Sequence, residues 1–326
     1  MGEFDLIARY FTRPVRRAAL GVGDDCALLA PAPGMQLAVS SDMLVQGRHF
    51  FADVDPERLG HKALAVNLSD LAACGARPLA FTLALSLPRV DEAWLAGFSR
   101  GLLALADGHG CELVGGDTTQ GPLNICITVF GEVPAGQALL RSGARPGDDI
   151  YVSGTLGDAR LALEALQGHI TLPADVLAAA RLRLEQPTPR VALGQALRGV
   201  ASSALDVSDG LLGDLGHILR ASGTGACIDT SITTDLIAIS ALPISARGQF
   251  DPELFHQCTL AGGDDYELAF TAPVARRAAV AAASLASSTP VTRIGRIEAE
   301  PGLRLVDAQG QPVVQRYASF DHFAAG

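Results

Sequence analysis

The sequence predicts an α/β (α+β) protein of two domains, and three observations carry that expectation. The chain has 326 residues, more than a single hydrophobic core ordinarily organises. Short β-like apolar runs take turns with helical segments through both halves. Between residues 141 and 149 the pattern is broken by Gly143, Pro146 and Gly147, so the expected domains are 1–140 and 141–326.

In the first half, Gly2 to Phe11 reads as a short helix and Leu37 to Ser41 as a strand ending at Asp42. Asp55-Pro56 is a helix start, with Asp as cap and Pro in the first turn. That helix runs through Leu59, Ala63, Val66, Leu68 and Leu71, stops at Gly75, and is followed by Pro78. Leu79 to Leu87 is a strand. Asp91 to Asp107 is a helix opened by acidic residues, and Glu112 to Val114 a strand ending in Gly115-Gly116-Asp117. Asn124 to Val133 is a strand with Ile125, Ile127 and Val129 alternating onto one face.

In the second half, Ile150-Tyr151-Val152 is a strand and Gly157-Asp158 opens a helix reaching Gln167. Two further helices bracket Pro187-Thr188-Pro189. Ser203 to Leu205 is a strand ending in the Asp206 cluster, with a helix over 213–221 after it. Cys227 to Asp229, Leu268 to Phe270 and Val291 to Ile297 complete the strands, with a helix over 274–286 between the last two.

Composition excludes several functions. The net charge of −10 argues against nucleic acid or an anionic membrane as partner. Lys62 is the only lysine, so no Walker loop exists, and no protein-kinase catalytic loop or Asp-Phe-Gly triplet is present. The six cysteines, Cys26, Cys74, Cys111, Cys126, Cys227 and Cys258, form no Cys-x-x-Cys pair. They read as small core residues in a reducing compartment. No basic-led apolar leader and no run of 18 apolar residues occurs, so a cytoplasmic, soluble protein is expected.

Chemistry concentrates in the acidic turns, which follow the apolar runs: Gly23-Asp24-Asp25, Ser40-Ser41-Asp42, Ser69-Asp70, Gly115-Gly116-Asp117, Asp206-Val207-Ser208-Asp209-Gly210 and Gly262-Gly263-Asp264-Asp265. Each alone reads equally well as a solvated turn or a helix cap. Together they suggest converging carboxylates. Two such charges 4 Å apart repel by about 4 kcal/mol at an effective dielectric near 20. Hard oxygen donors on flexible turns suit Mg²⁺ holding a polyphosphate. Asn67 and Asp70 share a helix face, and Arg141 offers a guanidinium that can grip phosphate. No His-x-x-x-His or triad pattern supports metalloprotease or nucleophilic chemistry.

These motifs, in this order, resemble those of the bacterial thiamine-monophosphate kinases. The matching runs include Gly2-Glu3-Phe4, Gly23-Asp24-Asp25-Cys26-Ala27, Ser40-Ser41-Asp42 and Lys62 through Ala73. They continue with Gly115-Gly116-Asp117-Thr118-Thr119, Arg141-Ser142-Gly143-Ala144, Asp206-Val207-Ser208-Asp209-Gly210-Leu211, Asp265-Tyr266-Glu267-Leu268 and Phe320-Asp321-His322-Phe323.

The resemblance implies the two-domain fold of aminoimidazole ribonucleotide synthetase, with an N-terminal dimerising domain that also takes ATP and Mg²⁺, and a C-terminal α/β domain. It implies phosphorylation of thiamine phosphate by ATP to thiamine diphosphate, the last step in making that cofactor. Several Mg²⁺ ions would be held at Asp25, Ser40, Ser41, Asp42, Asp70, Asp117, Asp206 and Asp209. Nucleotide contacts would fall at Gly116, Asp117, Arg141 and Ser208, and thiamine phosphate contacts at His49, Asp264 and Tyr317. Asp264 stands where the family often has Glu, and Tyr317 where it often has Trp. A homodimer is also implied. The rival readings are a superfamily enzyme that activates an amide or carboxylate with ATP, and a non-catalytic metal- or nucleotide-binding relative.

Overall fold

A computed structural model describes residues 2–237, 252–314 and 316–317. The Phe320-Asp321-His322-Phe323 motif lies outside the described residues. The chain divides into two compact units, residues 1–71 with 76–138, and residues 72–75 with 139–326.

The first unit contains α1 (Glu3–Tyr10), β1 (Met35–Val45), α2 (Pro56–Ala73), β2 (Arg77–Leu87), α3 (Glu92–His109), β3 (Glu112–Gln120) and β4 (Asn124–Pro134). Its sheet has the order β1-β4-β2-β3, antiparallel except where β2 runs parallel to β3. Helix α2 begins where Asp55 Oδ1 accepts the amides of Glu57 and Arg58 at 2.9 and 3.1 Å, which satisfies donors that the first turn leaves orphaned. One sheet face is apolar: Ile125, Ile127 and Val129 are buried, as are Leu83 and Leu85 of β2. Leu64, Leu68 and Leu71 of α2 and Leu95, Phe98 and Leu102 of α3 are buried as well. The opposite face leaves Leu37, Val39 and Met43 exposed.

Two strands outrun their expected ends. β1 continues through Ser40-Ser41-Asp42 to Val45, with Asp42 opposite Ile127 in an unbroken ladder. The strand carries on because the Asp42 backbone stays paired while its side chain finds polar company. β3 runs on through Gly115-Gly116-Asp117, with a register shift against β2 at Phe81/Thr82. Gly116 has φ +146°, and a Cβ there would stand 1.9 Å from the Leu83 carbonyl oxygen. A side chain could not follow that path, so the glycine continues the strand rather than ending it.

The second unit contains β5 (Asp149–Ser153), α4 (Asp158–Leu166), α5 (Ala174–Glu185), α6 (Val191–Ala196), β6 (Ser203–Val207), α7 (Leu211–Ser222), β7 (Gly225–Asp229) and α8 (Thr230–Thr234). Helix Pro252–Ala261, strand β8 (Glu267–Ala272), helix Arg277–Ala286, and strands β9 (Val291–Glu298), β10 (Gly302–Val306) and β11 (Pro312–Val313) follow. Its seven strands take the order β11-β10-β7-β9-β5-β8-β6. β5, β6 and β8 are buried along their whole length, as strands covered on both faces must be. Leu211, Leu215 and Ile218 of α7 pack with Leu205, Val207 and Ala269 in its core.

The cysteines correct one expectation. All six are free thiols, but only Cys111 and Cys258 are buried, and Cys26 is exposed. Burial pushes the Cys258 thiol up to about 12, which leaves it protonated and inert near neutral pH.

Candidate functional site

In the first unit, Ser40 and Asp42 alternate onto the face that meets α2. Asp42 N donates to Asn67 Oδ1 at 3.1 Å, and Asn67 Nδ2 donates to the Ala63 carbonyl at 3.0 Å. Ser40 Oγ donates to Asp70 Oδ2. The Asp42 and Asp70 carboxyl groups also hydrogen-bond to each other. Burial first, and then the Asp70 charge, raise Asp42 from the ordinary carboxylate range to about 7. Two carboxyls share one proton where a cation would relieve them.

Ser41 points the other way. Its Oγ donates to the Ile127 carbonyl at 3.1 Å and lies 3.0 Å from Thr128 Oγ1. A strand sends successive side chains to opposite faces, so the Ser41 hydroxyl is turned away from the Asp42–Asp70 pair.

Asp25 and Asp117 are brought together elsewhere. Both are exposed and line a cavity of about 940 Å³ together with Asp24, Gly116 and Thr118. Phe4 and Ile7 of α1 and Phe130 of β4 form its apolar wall. β1 and β3 are the outer strands of the sheet. At the usual strand spacing, Asp42 and Asp117 are therefore separated by roughly 14 Å. The expected convergence of all these acids does not form within this unit. Among the described residues, no three His, Cys, Asp or Glu side chains close into a metal cage.

His49 lies in the turn after β1, where its Nδ1 accepts the Val45 amide at 3.0 Å. This bond fixes the neutral tautomer with the proton on Nε2. Lys62, 3 % exposed, donates from Nζ to the His49 carbonyl at 3.2 Å.

In the second unit, Asp206 is the penultimate residue of β6 and is buried, while Ser208 is half-buried and Asp209 exposed. Asp264 N donates to the Ser208 carbonyl and Tyr266 N to the Val207 carbonyl, both at 2.8 Å. Asp264 and Ser208 are thus neighbours. Asp264 and Tyr266 have φ of 66° and 51°, a left-handed conformation that non-glycine residues adopt only when their surroundings hold them.

Sequence reasoning missed what holds them. Glu267, fully buried, receives Arg190 Nε at 2.6 Å and Arg183 Nη2 at 2.7 Å. Asp265 accepts the Gly157 amide on both oxygens at 2.9 Å, and burial raises its carboxyl well above the ordinary range. His217 was also missed. Burial, then the charges of Arg141 and Arg220, lower it, with Asp209 opposing. Arg141 therefore lies in the electrostatic neighbourhood of the Asp209 turn. Tyr317 packs against the second unit's core, with its ring edge-on to His256 at 6.1 Å. Burial and a hydrogen bond to Glu253 push its hydroxyl up to about 12.

Residues 23–133 match the N-terminal domain of the AIR synthase related proteins, and residues 145–308 match their C-terminal domain. A thiamine-monophosphate kinase of Salmonella typhimurium is 48% identical over 99% of this chain and 98% of its own length. The chain belongs to the thiamine-monophosphate kinase family. The crystal structure of the Stenotrophomonas maltophilia thiamine-monophosphate kinase superposes with a TM-score of 0.81 at 46% identity, covering 95% of this chain and 96% of that one. The structure described as AaThiL complexed with AMPPCP and TMP gives a TM-score of 0.76 at 29% identity, covering 90% and 89%.

A magnesium requirement, as the family implies, fits the donors present. Around Asp42 and Asp70 they are oxygens, and the proton this pair shares occupies a place suited to a hard cation. Mg²⁺ is ordinarily held by one or two carboxylates, waters and substrate phosphates rather than by a full protein cage. The Asp42–Asp70 pair would meet that need, with Ser40 hydrogen-bonded to Asp70 and Asn67 to the Asp42 backbone.

Proposed function

We propose that this chain transfers the γ-phosphoryl group of ATP to thiamine phosphate, giving thiamine diphosphate and ADP. The observation that carries the reading is the near-full-length identity to thiamine-monophosphate kinases, joined to the oxygen donors around Asp42 and Asp70. A bond forms between a phosphate oxygen of thiamine phosphate and the γ-phosphorus, and the bond from that phosphorus to the β–γ bridging oxygen breaks. The attacking oxygen is already ionised at neutral pH, so no strong base and no phospho-enzyme are needed. The catalytic task is alignment and charge neutralisation.

Asp42 and Asp70 with Ser40, Asp25 with Asp117, and Asp206 with Asp209 are the proposed magnesium contacts. Ions held there would supply positive charge to neutralise and orient the phosphates. The Ser41 hydroxyl is not assigned to the ion at Asp42, because the strand turns it away. Gly116, Asp117, Arg141 and Ser208 are the proposed nucleotide contacts, with Arg141 presenting its guanidinium fork to phosphate. His49, Asp264 and Tyr317 are the proposed thiamine phosphate contacts. His49 would offer its Nε2 proton as a donor, and Tyr317 an aromatic edge.

We also propose that the protein works as a cytoplasmic homodimer. Leu37, Val39 and Met43 leave an exposed apolar strip on the first unit's sheet, with exposures of 45, 56 and 52%, and a second copy would cover it. No helix among the described residues is long and apolar enough to cross a membrane.

The deciding experiment incubates the purified chain with ATP, Mg²⁺ and thiamine phosphate and detects products by mass. Thiamine diphosphate formed one-for-one with ADP is the expected result. ADP without thiamine diphosphate would reject the reading.

A further inference from the structure

The turn Ser208-Asp209-Gly210 stands at the start of α7, a 12-residue helix. Its successive amides point at one place, the arrangement that elsewhere receives a phosphate. Here that place is filled by the protein itself. Asp214 Oδ2 accepts the amides of Ser208, Asp209 and Gly210 at 3.0, 3.0 and 3.1 Å. Asp214 is 6% exposed and comes from the first turns of α7, so the helix folds its own carboxylate back over its end.

The other side of the turn is fixed as well. The Val207 and Ser208 carbonyls accept Tyr266 N and Asp264 N. A Cβ on Gly263 would stand 2.4 Å from the Ser208 carbonyl oxygen, so this approach depends on glycine. Asp214 thus engages all three amides of the turn, in which Ser208 is half-buried and Asp209 exposed.

We propose that Asp214 is a positioning residue that sets the polarity of this turn. By filling the amide nest with an internal carboxylate, it denies the three backbone amides to phosphate oxygens, leaves the Ser208 side chain to the nucleotide, and presents Asp209 to a divalent cation. The inference rests on the reading of Asp209 as a magnesium contact. An ordinary helix cap would use the same hydrogen bonds but would affect only stability. A residue supporting a metal ligand ordinarily shifts metal affinity by about 10–100-fold when removed.

The test uses the full chain with Asp214→Asn, Asp214→Ala and Asp209→Ala. Mn²⁺ binding in the presence of ADP is measured by titration calorimetry, alongside thermal midpoints and inhibition of turnover by inorganic phosphate. Asp214→Asn and Asp214→Ala should bind Mn²⁺ at least roughly tenfold more weakly. Asp214→Ala, with its amides released, should also become more sensitive to inorganic phosphate. If Asp214→Ala does not fold, Asp214→Asn decides alone. A lowered thermal midpoint with Mn²⁺ affinity within twofold of the parent overturns the proposal and leaves Asp214 a plain cap. If Asp209→Ala also binds Mn²⁺ normally, the assignment of Asp209 as a metal contact has failed instead.

Discussion

Asp42 of β1 and Asp70 of α2 meet carboxyl to carboxyl, and the pair keeps a proton up to about pH 7. Without metal, the folded chain holds a proton on Asp42 that the unfolded chain gives up near its ordinary value of 3.8. Stability should therefore fall as pH rises from about 4 to about 7 and level off above that, because the native state binds more protons over this window. Thermal midpoints in chelator should show this decline. Mg²⁺ should stabilise most at or above pH 7, where it no longer competes with the proton. Asp42→Asn should make the metal-free decline shallower, leaving the part owed to buried Asp265 and Asp214, and should abolish turnover.

Asp117 is exposed and lines the first unit's cavity. Asp117→Ala should lower kcat/KM on the order of 100-fold, the scale of losing a metal or phosphate contact. Its thermal midpoint should stay within a degree or two, since no core contact is removed. Steady-state kinetics at saturating Mg²⁺ check the prediction, and near-normal turnover would remove Asp117 from the site.

Glu267 is fully buried between Arg183 and Arg190. Glu267→Gln should destabilise the protein by about 3–5 kcal/mol, because two guanidinium groups lose their counter-charge in the interior. Urea unfolding measures this. The left-handed Asp264 and Tyr266 turn should loosen at the same time, raising the KM for thiamine phosphate more than that for ATP.

The exposed strip on β1 gives a test of assembly. Val39→Asp places a charge in the middle of it and should yield a monomer by light scattering at micromolar concentration. An unchanged dimer would move the interface elsewhere.

Local signals wrote much of this fold legibly. Asp55-Pro56 predicted the start of α2, and the Ile125, Ile127, Val129 alternation predicted the buried face of β4. Glycine and serine next to acids read as strand ends, but at Asp42 and Asp117 the strands run on. There a bulge and a polar helix face let the ladder continue. The order of strands, which puts those two acids on opposite edges, is a long-range pairing that no window of sequence contains. The partnership of Asp42 with Asp70 was hinted at by Asn67 and Asp70 sharing a helix face. Asp214 gives no such signal, because an acid in a helix that also carries His217 and Arg220 reads as surface decoration until the backbone it caps is seen.

Lys62 carries the chain's only side-chain amine, and that amine is sealed against the His49 carbonyl. Acylating reagents therefore meet no accessible lysine on the folded protein. Acetylation of Lys62 becomes a clock for transient parting of α2 from the turn after β1. Followed by peptide mass spectrometry, that rate would report the breathing of this part of the molecule with no engineered label, and substrates that clamp His49 should slow it.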